Sequence, residues 1–598
     1  MKPFGTTTGR FFYFYTMPSP VKFVITLGAI GIFCAKTSPI MSQSILSYYK
    51  DNRTPTYEEV IDFYQQADSL SPYLQLMTGG LTDAGLPLHV LVIDAHQEFT
   101  PAQARARNKM ILLINNGIHP GEPDGIDASL LFIDSLLHHA DLQKELENLL
   151  ICIIPIYNID GAHNRNSTSR VNQNGPESFG FRGNGRNYDL NRDFVKADTR
   201  NTIAFTQIFR HWDPDVFIDT HVSNGADYQH VMTLIPTYNK KLAPHQSEYL
   251  ENYMLKWMYA YMEDAGFPMC PYINEFDKTP DQGISAFLDR PRYSTGYAAL
   301  YNTIGFMPET HMLKPYPQRV EATLAFFRAV IQSMQINPEF VLNTREIAKL
   351  HTLGETELTL DFELDTTRYN TFPFMGYEAR YKTSEVSGLE RLYYDRNAPY
   401  TKDIRVYDFY RSKLEVHVPE TYVIPQAWKE IIEKLEANGV IMERLPADTV
   451  IQVQYYRIKN YETTEQPYEG HYYHSNIEVE IEHKAESFHK GDILVHTAQE
   501  AKKYIVYTLE PQSPDGFFAW GYFDAILMQK EWFSDYVFED LAAELLRTDP
   551  HLKALLEQAK LDDPALAENA WAQLRFVYEH SPYKEPTHKR FPVARILK

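Results

Sequence analysis

The chain has 598 residues, of which 44% are hydrophobic and 23% are charged. This composition is typical of globular proteins and excludes disordered, collagen-like and multi-span membrane chains. At about 150 residues per domain, the length predicts two to four domains. Asp and Glu total 78 against 57 Lys and Arg, and the resulting net charge of −21 argues against nucleic-acid binding because it would repel a phosphate backbone.

The number and spacing of the cysteines limit the possible disulfides and metal ligands. The three cysteines, Cys34, Cys152 and Cys270, form no CxxC pair and are too few for a disulfide framework. Any metal ion must therefore be held by histidines and carboxylates.

The first 40 residues have the order of a secretory signal peptide. Basic residues precede an apolar run from Phe23 to Ala35, and polar residues from Lys36 to Pro39 follow it. The run is short for a membrane-spanning helix. We therefore expect an exported protein, periplasmic, cell-surface or secreted, that associates with a membrane only if this segment stays uncleaved or is lipidated at Cys34. Translation could start at Met1 or at Met17.

Residues 54–345 are predicted to form an α/β domain. From Thr54 to about Gln335, continuous apolar runs typical of strands buried on both faces alternate with helical patterns. The predicted strands are Lys109–Asn115, Leu149–Ile156, Asp215–Asp219, His230–Ile235 and Gly305–Pro308, with a crossover helix over Asp124–His139. This alternation predicts a mostly parallel or mixed central sheet with helices on both faces.

Residues 346–598 are predicted to form an accessory region that is β-rich and then helical. Glu355–Val418 is rich in alternating polar and apolar residues, and Asn476–Ile481 alternates again as a strand. One strand and one helix are predicted over Tyr422–Ile441, and helices over Ser534–Gln558 and Pro564–Tyr578. We expect this region to pack on the first domain or to bind a ligand outside the cell.

Two features of the accessory region admit a functional interpretation. The five histidines at 471, 474, 483, 489 and 496 could form a second metal site, or they could simply be exposed strand residues. The aromatic run Asp515–Phe523 could bind a ligand, although a packed domain interface is the favoured interpretation.

A metal-binding pattern follows the first predicted strand. In Asn115-Asn-Gly-Ile-His119-Pro-Gly-Glu122, an imidazole and a carboxylate flank a Pro-Gly turn and can point at one ion. The alternative is a turn histidine and a carboxylate stabilised by a helix N-terminus. His221, at the end of another predicted strand, would supply a third ligand.

A further carboxylate ends the strand Gly305-Phe-Met-Pro-Glu309. Ligands of open α/β sheets gather outside the carboxyl ends of the strands, so Glu309 is the candidate general base. His311, two residues on, is a competing candidate.

Arginines crowd the Gly-rich stretch from Ser169 to Phe194. They are Arg170, Arg182, Arg186 and Arg192. Such residues can form a solvated surface, but beside a hydrolytic zinc their guanidinium groups suit a carboxylate or an oxyanion.

Taken in chain order, these motifs resemble the zinc carboxypeptidases of the carboxypeptidase A type. The motifs are His119-Pro-Gly-Glu122, Asp189-Leu-Asn191-Arg192, His221 and Glu309, within roughly half the chain. The resemblance implies a carboxypeptidase-like fold and one Zn²⁺ per catalytic domain.

The resemblance also assigns roles to individual side chains. His119, Glu122 and His221 would bind zinc, and Glu309 would be the general base. Asn191 and Arg192 would hold the terminal carboxylate of the substrate. Arg170 best matches the arginine that polarises the scissile carbonyl, with Arg182 and Arg186 as alternatives.

The substrate-capping tyrosine of that family has no unique match. Tyr293, Tyr297 and Tyr301 all precede Glu309 at plausible distances. The side-chain preference of the enzyme is therefore open.

The function implied is that of an exported zinc metallocarboxypeptidase that hydrolyses the C-terminal bond of peptides or proteins with a free carboxylate. Zinc-activated water would be the nucleophile, Glu309 would move the proton, and Asp189 could fix the tautomer of a ligand histidine. One alternative is an amidase or peptidase of the same fold acting on peptidoglycan stem peptides or acyl-amino acids. Another is a non-catalytic binding protein that keeps the fold.

Overall fold

The computed structural model describes residues 45–138, 144, 146–274 and 278–597. The predicted signal segment, including Cys34, lies outside these residues. Among the helices that are described, none has both the length and the apolar composition needed to cross a membrane.

The described residues form twenty strands and sixteen α-helices, besides short 3-10 and π turns. The strands are β1 Leu74–Leu81, β2 Pro87–Asp94, β3 Met110–Asn115, β4 Leu149–Ile154, β5 Val216–Asp219, β6 His221–Ser223, β7 Met232–Pro236, β8 Cys270–Pro271, β9 Ile284–Ser285, β10 Ile304–His311, β11 Glu357–Leu364, β12 Asn370–Thr383, β13 Glu390–Tyr407, β14 Tyr410–His417, β15 Thr421–Ile424, β16 Glu443–Arg444, β17 Thr449–Thr463, β18 His474–Phe488, β19 Ile493–His496 and β20 Ala594–Ile596. The helices are α1 Tyr57–Leu70, α2 Pro101–Ala106, α3 Asp124–His138, α4 Ile159–His163, α5 Arg200–Trp212, α6 Pro244–Tyr249, α7 Leu255–Asp264, α8 Ser294–Ala299, α9 Tyr316–Gln335, α10 Pro338–Gly354, α11 Lys429–Ala437, α12 Lys502–Leu509, α13 Asp535–Thr548, α14 Pro550–Asp562, α15 Pro564–Ala567 and α16 Ala570–Glu579.

A nine-stranded mixed sheet forms the centre of the first region. Its order is β1-β2-β4-β3-β5-β10-β7-β8, with β6 continuing beside β10. The pairs β4-β3, β3-β5 and β5-β10 are parallel, whereas β1-β2, β2-β4 and β10-β7 are antiparallel. The five predicted strands lie in this sheet, and the predicted mixed α/β class is confirmed.

Helices cover both faces of the sheet because its central strands are apolar on both sides. Leu112 and Ile114 of β3 belong to one buried cluster, which includes residues of α1, α3 and α9. Ile111 and Leu113 of the same strand belong to a second cluster, which includes residues of α5 and α8. Successive side chains of a strand point to opposite faces, so these two clusters are the two layers of the core.

The C-terminal half is β-rich, as the sequence predicts. It contains a two-stranded sheet (β11-β14), a three-stranded sheet (β12-β13-β9) and a six-stranded sheet in the order β16-β19-β15-β20-β17-β18. The helices α13, α14 and α16 pack around a small cluster of their own, and the short helix α15 lies between α14 and α16 in the chain. They divide at Pro550 and Pro564, where the side chains of Asp549 and Asp563 accept backbone N–H groups and start new helices.

The two halves share a sheet and a hydrophobic core. Strand β9, from the first half, pairs in parallel with β13 from the second. The cluster on the α5 side of the central sheet continues without a break through Tyr422, Ile431 and Tyr504. The division near residue 345 stays a prediction, and the two halves share part of their buried apolar core.

Candidate metal and substrate site

Three buried side chains meet at the carboxyl ends of the central strands. His119 and Glu122 follow β3, and His221 begins β6 directly after β5. Strands β3 and β5 are parallel neighbours with Asn115 opposite Asp219, so the residues that follow them emerge at the same edge. One ligand atom from each of the three lies within 4.8 Å of the others.

Carboxylates orient both imidazole rings. His119 Nε2 lies 2.9 Å from Asp189 Oδ1, and His221 Nε2 lies 2.8 Å from Asp219 Oδ2. The two Nδ1 atoms therefore face Glu122, each at 3.2 Å from one of its oxygens. The sequence hypothesis of a ligand histidine held by Asp189 corresponds to this contact.

The donor set fits a zinc ion. His119 Nδ1 is buried and makes no hydrogen bond among the described residues, so it is a nitrogen that a cation would satisfy. Two imidazole nitrogens and one carboxylate, with each ring fixed from behind by a second carboxylate, are a typical catalytic zinc set.

Glu122 carries its charge although it is buried. Burial alone would raise its pKa, but His119 and Arg170 hold the pKa of Glu122 well below its usual range. Val222 N donates to its Oε2 at 2.9 Å, and Arg170 Nη1 lies 3.0 Å from its Oε1. An ionised carboxylate in this position is ready to bind a cation.

Glu309 lies beside the three candidate ligands. It sits on β10 directly opposite His221 of β6, and it is 8% exposed. Burial raises the pKa of Glu309 to about 7, and the charge of His221 opposes part of this rise. A carboxyl group with such a pKa can exchange a proton near neutral pH.

His311 lies outside this arrangement. Its Nε2 is 2.8 Å from the Ala226 carbonyl oxygen, and its ring packs edge-on against Tyr228 at 4.4 Å. Burial lowers the pKa of His311 to about 4. The geometry therefore favours Glu309 over His311 as the base.

One cavity of about 370 Å³ contains all the predicted site residues. They are His119, Glu122, Arg170, Asn191, Arg192, His221 and Glu309. These residues are up to 190 positions apart in the sequence, and the sheet order brings together the four that follow or lie on its strands, His119, Glu122, His221 and Glu309.

The four arginines of the predicted stretch have different surroundings. Arg170, Arg182 and Arg192 line the cavity. Arg186 instead donates from Nη1 to the Asp198 carbonyl oxygen at 2.9 Å in an exposed position. Sequence alone did not separate Arg186 from the others because all four lie in one polar loop region.

Arg170 and Arg182 approach the same carboxylate from different positions. Both place Nη1 near Glu122 Oε1, at 3.0 and 3.3 Å. Arg182 also directs Nε and Nη2 to Asp189 Oδ2, each at 2.9 Å. Arg170 donates its Nε to Gln173 Oε1 at 2.6 Å.

Asn191 and Arg192 lie on a short 3-10 turn, Leu190–Arg192, that Asp189 caps. Asn191 Oδ1 accepts a hydrogen bond from Ser294 N at 3.2 Å, which leaves the amide nitrogen as its remaining polar atom. The Arg192 guanidinium stacks on the Tyr293 ring at 4.6 Å. Both side chains are thus held in defined positions in the cavity wall.

Of the three candidate tyrosines, only Tyr293 lines the cavity. Tyr297 and Tyr301 are buried in the core, where their hydroxyls donate to Asn438 at 2.8 and 3.0 Å. Tyr272 also lines the cavity, and no sequence signal pointed to it.

An apolar wall stands beside Glu309. Met307 of β10 pairs directly with Ile235 of β7, and both line the cavity. The rings of Tyr272 and Phe287 extend this wall with their centroids 6.0 Å apart. Met307 could have been found from sequence, because residues two apart on a strand share a face.

Comparison with known proteins finds one matching family model and several similar sequences. Residues 60–298 match the Peptidase_M14 family model, described as zinc carboxypeptidase. Carboxypeptidase 2 of Trichophyton equinum is 22% identical over 445 residues, which are 69% of this chain and 74% of the relative. Probable carboxypeptidase 2 of Arthroderma benhamiae is 22% identical over 430 residues, 68% of this chain and 74% of the relative.

Two carboxypeptidases are among the solved structures with detectable similarity. A metallo-carboxypeptidase from Burkholderia cenocepacia is 13% identical with a TM-score of 0.36, over 47% of this chain and 70% of that one. Carboxypeptidase A from Helicoverpa armigera is 14% identical with a TM-score of 0.36, over 50% of this chain and 80% of that one. Residues 60–298, less than half of the chain, are thus similar to the zinc carboxypeptidases.

Proposed function

We propose that this protein is an exported zinc metallocarboxypeptidase that removes the C-terminal residue from peptides or proteins with a free carboxylate. The observation that carries the proposal is the shared cavity, in which a His-Glu-His donor set adjoins a buried carboxyl group of near-neutral pKa and an Asn-Arg pair. Export is supported by the signal-like order of the first 40 residues.

The metal would be held by the Nδ1 atoms of His119 and His221 and by the Glu122 carboxylate. When bound, zinc lowers the pKa of a water ligand and polarises a carbonyl group. Asp189 and Asp219 keep the two Nδ1 atoms free for this task by engaging the Nε2 atoms.

Glu309 would act as the general base and then as the general acid. Its carboxylate accepts a proton from the attacking water and returns it to the leaving amine. The buried position and the raised pKa of about 7 suit both directions of transfer.

Asn191 and Arg192 would bind the terminal carboxylate, because a guanidinium fork and an amide donor match its two oxygens. Arg170 would polarise the scissile carbonyl and stabilise the developing oxyanion. Arg170 suits this role better than Arg182, which directs two of its nitrogens to Asp189.

The apolar wall supports a preference for apolar C-terminal side chains. Met307, Ile235 and Phe287 supply no charge to pair with a basic or acidic side chain. Burying an unpaired charge there would cost several kcal/mol, on the order of the penalty for an isolated buried ion.

Blocked dipeptides test the proposal. We expect hydrolysis of N-acylated dipeptides that end in Leu or Phe, with stoichiometric zinc in the purified protein. The same peptides with C-terminal amides serve as the matched control and should be poor substrates, since the amide removes the charge that Arg192 binds. Peptides ending in Lys should be cleaved at least about 10-fold less efficiently.

Three outcomes would contradict the proposal. Cleavage of murein fragments or acyl-amino acids without cleavage of any dipeptide would identify the amidase alternative. Substoichiometric zinc that added zinc does not restore would favour a binding protein. Equal cleavage of the amidated and free peptides would remove the carboxylate-binding role of Asn191 and Arg192.

A further inference from the structure

A tight turn of the C-terminal region lies between β17 and β18. Tyr468 N donates to the His471 carbonyl oxygen at 2.7 Å, and His471 N donates back to the Tyr468 carbonyl oxygen at 3.1 Å. The two central residues are left-handed, with φ of 49° at Glu469 and 81° at Gly470. This is the two-residue hairpin geometry that favours glycine, and it fixes the direction of the flanking side chains.

The first two residues of the turn contact the Asp189–Arg192 segment. The Tyr468 hydroxyl accepts a hydrogen bond from Arg192 Nε at 3.1 Å. Glu469 Oε2 accepts one from Asp189 N at 2.9 Å. The turn therefore reaches the residue that orients His119 and the residue proposed to bind the substrate carboxylate.

The other two residues extend the same contact. A Cβ atom on Gly470 would lie 2.3 Å from the Tyr188 hydroxyl, so only glycine allows this approach. His471 Nε2 lies 2.7 Å from Asp198 Oδ2. Four consecutive residues thus dock onto one stretch of the catalytic half.

The turn is itself held rigidly by the C-terminal region. The Tyr468 ring stacks on Trp520 at 5.9 Å, and Trp520 is fully buried. Arg292 lies over the Trp520 ring at 4.9 Å and forms an ion pair with Asp515 at 2.6 Å. The aromatic run Asp515–Phe523 is therefore a packed interface that supports the turn.

Arg192 is oriented by groups on three sides. Its Nη1 donates to the Asn191 carbonyl oxygen at 2.9 Å, its face lies on Tyr293, and its Nε is held by Tyr468. The first two groups belong to the catalytic half. The third group, the Tyr468 hydroxyl, belongs to the C-terminal region and restricts rotation of the Arg192 guanidinium.

We propose that the Tyr468–His471 turn completes the carboxylate subsite, with Tyr468 as a positioning residue that holds the Arg192 guanidinium in its binding orientation. The proposal rests on the proposed role of Arg192. Under this proposal, the C-terminal region contributes directly to substrate binding.

The Tyr468→Phe variant tests the proposal because it removes one hydroxyl and keeps the ring. With a blocked dipeptide ending in Phe, we expect KM to rise about 3- to 10-fold, which is less than the roughly 10- to 150-fold effect of losing a direct hydrogen bond to a charged group, because Tyr468 acts through Arg192. We expect kcat to change less than about 2-fold and zinc content to stay at the wild-type value, because the loss falls on ground-state binding. Tyr472→Phe, at an exposed neighbouring tyrosine, is the matched control and should leave KM unchanged.

Two further variants separate this proposal from the proposed function. Gly470→Ala should raise KM more than Tyr468→Phe, since a methyl group would meet Tyr188 and push the whole turn away. Arg192→Gln should raise KM more than either, and adding Tyr468→Phe to it should have little further effect, because contacting residues are not additive.

The outcomes are distinct. If Arg192→Gln raises KM but Tyr468→Phe behaves like Tyr472→Phe, the positioning role is overturned and the proposed function stands. If the effect of Tyr468→Phe appears in full on top of Arg192→Gln, the hydroxyl acts independently of Arg192, which also overturns it. If Arg192→Gln itself leaves KM unchanged, the carboxylate role of Arg192 fails and the positioning role fails with it.

Discussion

The metal side and the carboxylate side of the cavity are built in different ways. On the metal side, His119 and Glu122 follow β3, whereas His221 and Glu309 lie opposite each other on β6 and β10 of the same sheet. The order and register of these strands bring the four side chains together. On the carboxylate side, Arg192 lies in a loop and is held by Tyr468, which belongs to the other half of the chain. The comparison shows that the strands of one sheet can position the side chains on the metal side. The conformation of the loop on the carboxylate side depends in addition on residues from the other half of the chain.

The largest expected effect is on the metal side. His119→Ala removes one of three ligands and should abolish both zinc retention and activity, measured by metal analysis and peptide hydrolysis. His138→Ala, at an exposed helix position, is the control and should change neither. A His119→Ala protein that keeps one zinc would show that the metal does not lie between these residues.

Glu309→Gln separates chemistry from metal binding. We expect zinc content to be unchanged and kcat to fall about 10²- to 10⁴-fold, the usual contribution of a general base. The substitution keeps the size of the side chain and removes only its ability to accept a proton. A variant with wild-type kcat would eliminate Glu309 as the base.

The two arginines between the metal side and the carboxylate side can be ranked by experiment. Arg170→Ala should lower kcat about 10²-fold, the typical loss when one oxyanion donor is removed. Arg182→Ala should act mainly through Asp189 and His119, so its defect should include weaker zinc retention. The comparison is made by single-turnover kinetics and by titration with a chelator. The reverse pattern would exchange the two roles.

The smallest effect on catalysis is expected behind the carboxylate side, at Asp198. Burial alone would raise the pKa of Asp198, but His471, Lys196 and Lys434 hold it well below its usual range. We expect Asp198→Asn to lower the free energy of unfolding at pH 7 by about 3 kcal/mol, because Lys196 and Lys434 both lose a buried carboxylate partner.

The pH dependence of this loss has a defined sign. The pKa of Asp198 is lower in the folded than in the unfolded state, so its stabilisation is complete above the unfolded value of about 3.9 and is lost as the pH falls below it. Urea unfolding at pH 7 and pH 3 should show the gap between wild type and Asp198→Asn narrowing by about 1 kcal/mol. An unchanged gap would mean that Asp198 has the same pKa in both states.

The sequence predicts which residues lie together on the metal side, for a physical reason. Strands such as β3 and β4 are buried on both faces, so their apolar runs are continuous and their ends are easy to locate. Polar residues directly after such runs must lie at the sheet edge. The candidate ligands His119 and His221 and the candidate base Glu309 satisfy that condition.

The carboxylate side could not be predicted in the same way. Tyr468 contacts Arg192 across 276 positions, and nothing in the local sequence of either residue specifies that contact. The choice among the three tyrosines stayed open in the sequence for a related reason. The hydroxyls of Tyr297 and Tyr301 donate hydrogen bonds to Asn438 of the other half. Their spacing from Glu309 in the sequence does not reveal this contact.

The place of β20 in the six-stranded sheet has a consequence for biosynthesis. This strand pairs with both β15 and β17, and β17 leads into the turn that meets Arg192. A ribosome must therefore have delivered the chain through Ile596 before that sheet can close. The contact between the Tyr468–His471 turn and Arg192 would therefore form only at the end of synthesis, and the proposed substrate subsite would be incomplete while the chain is being made.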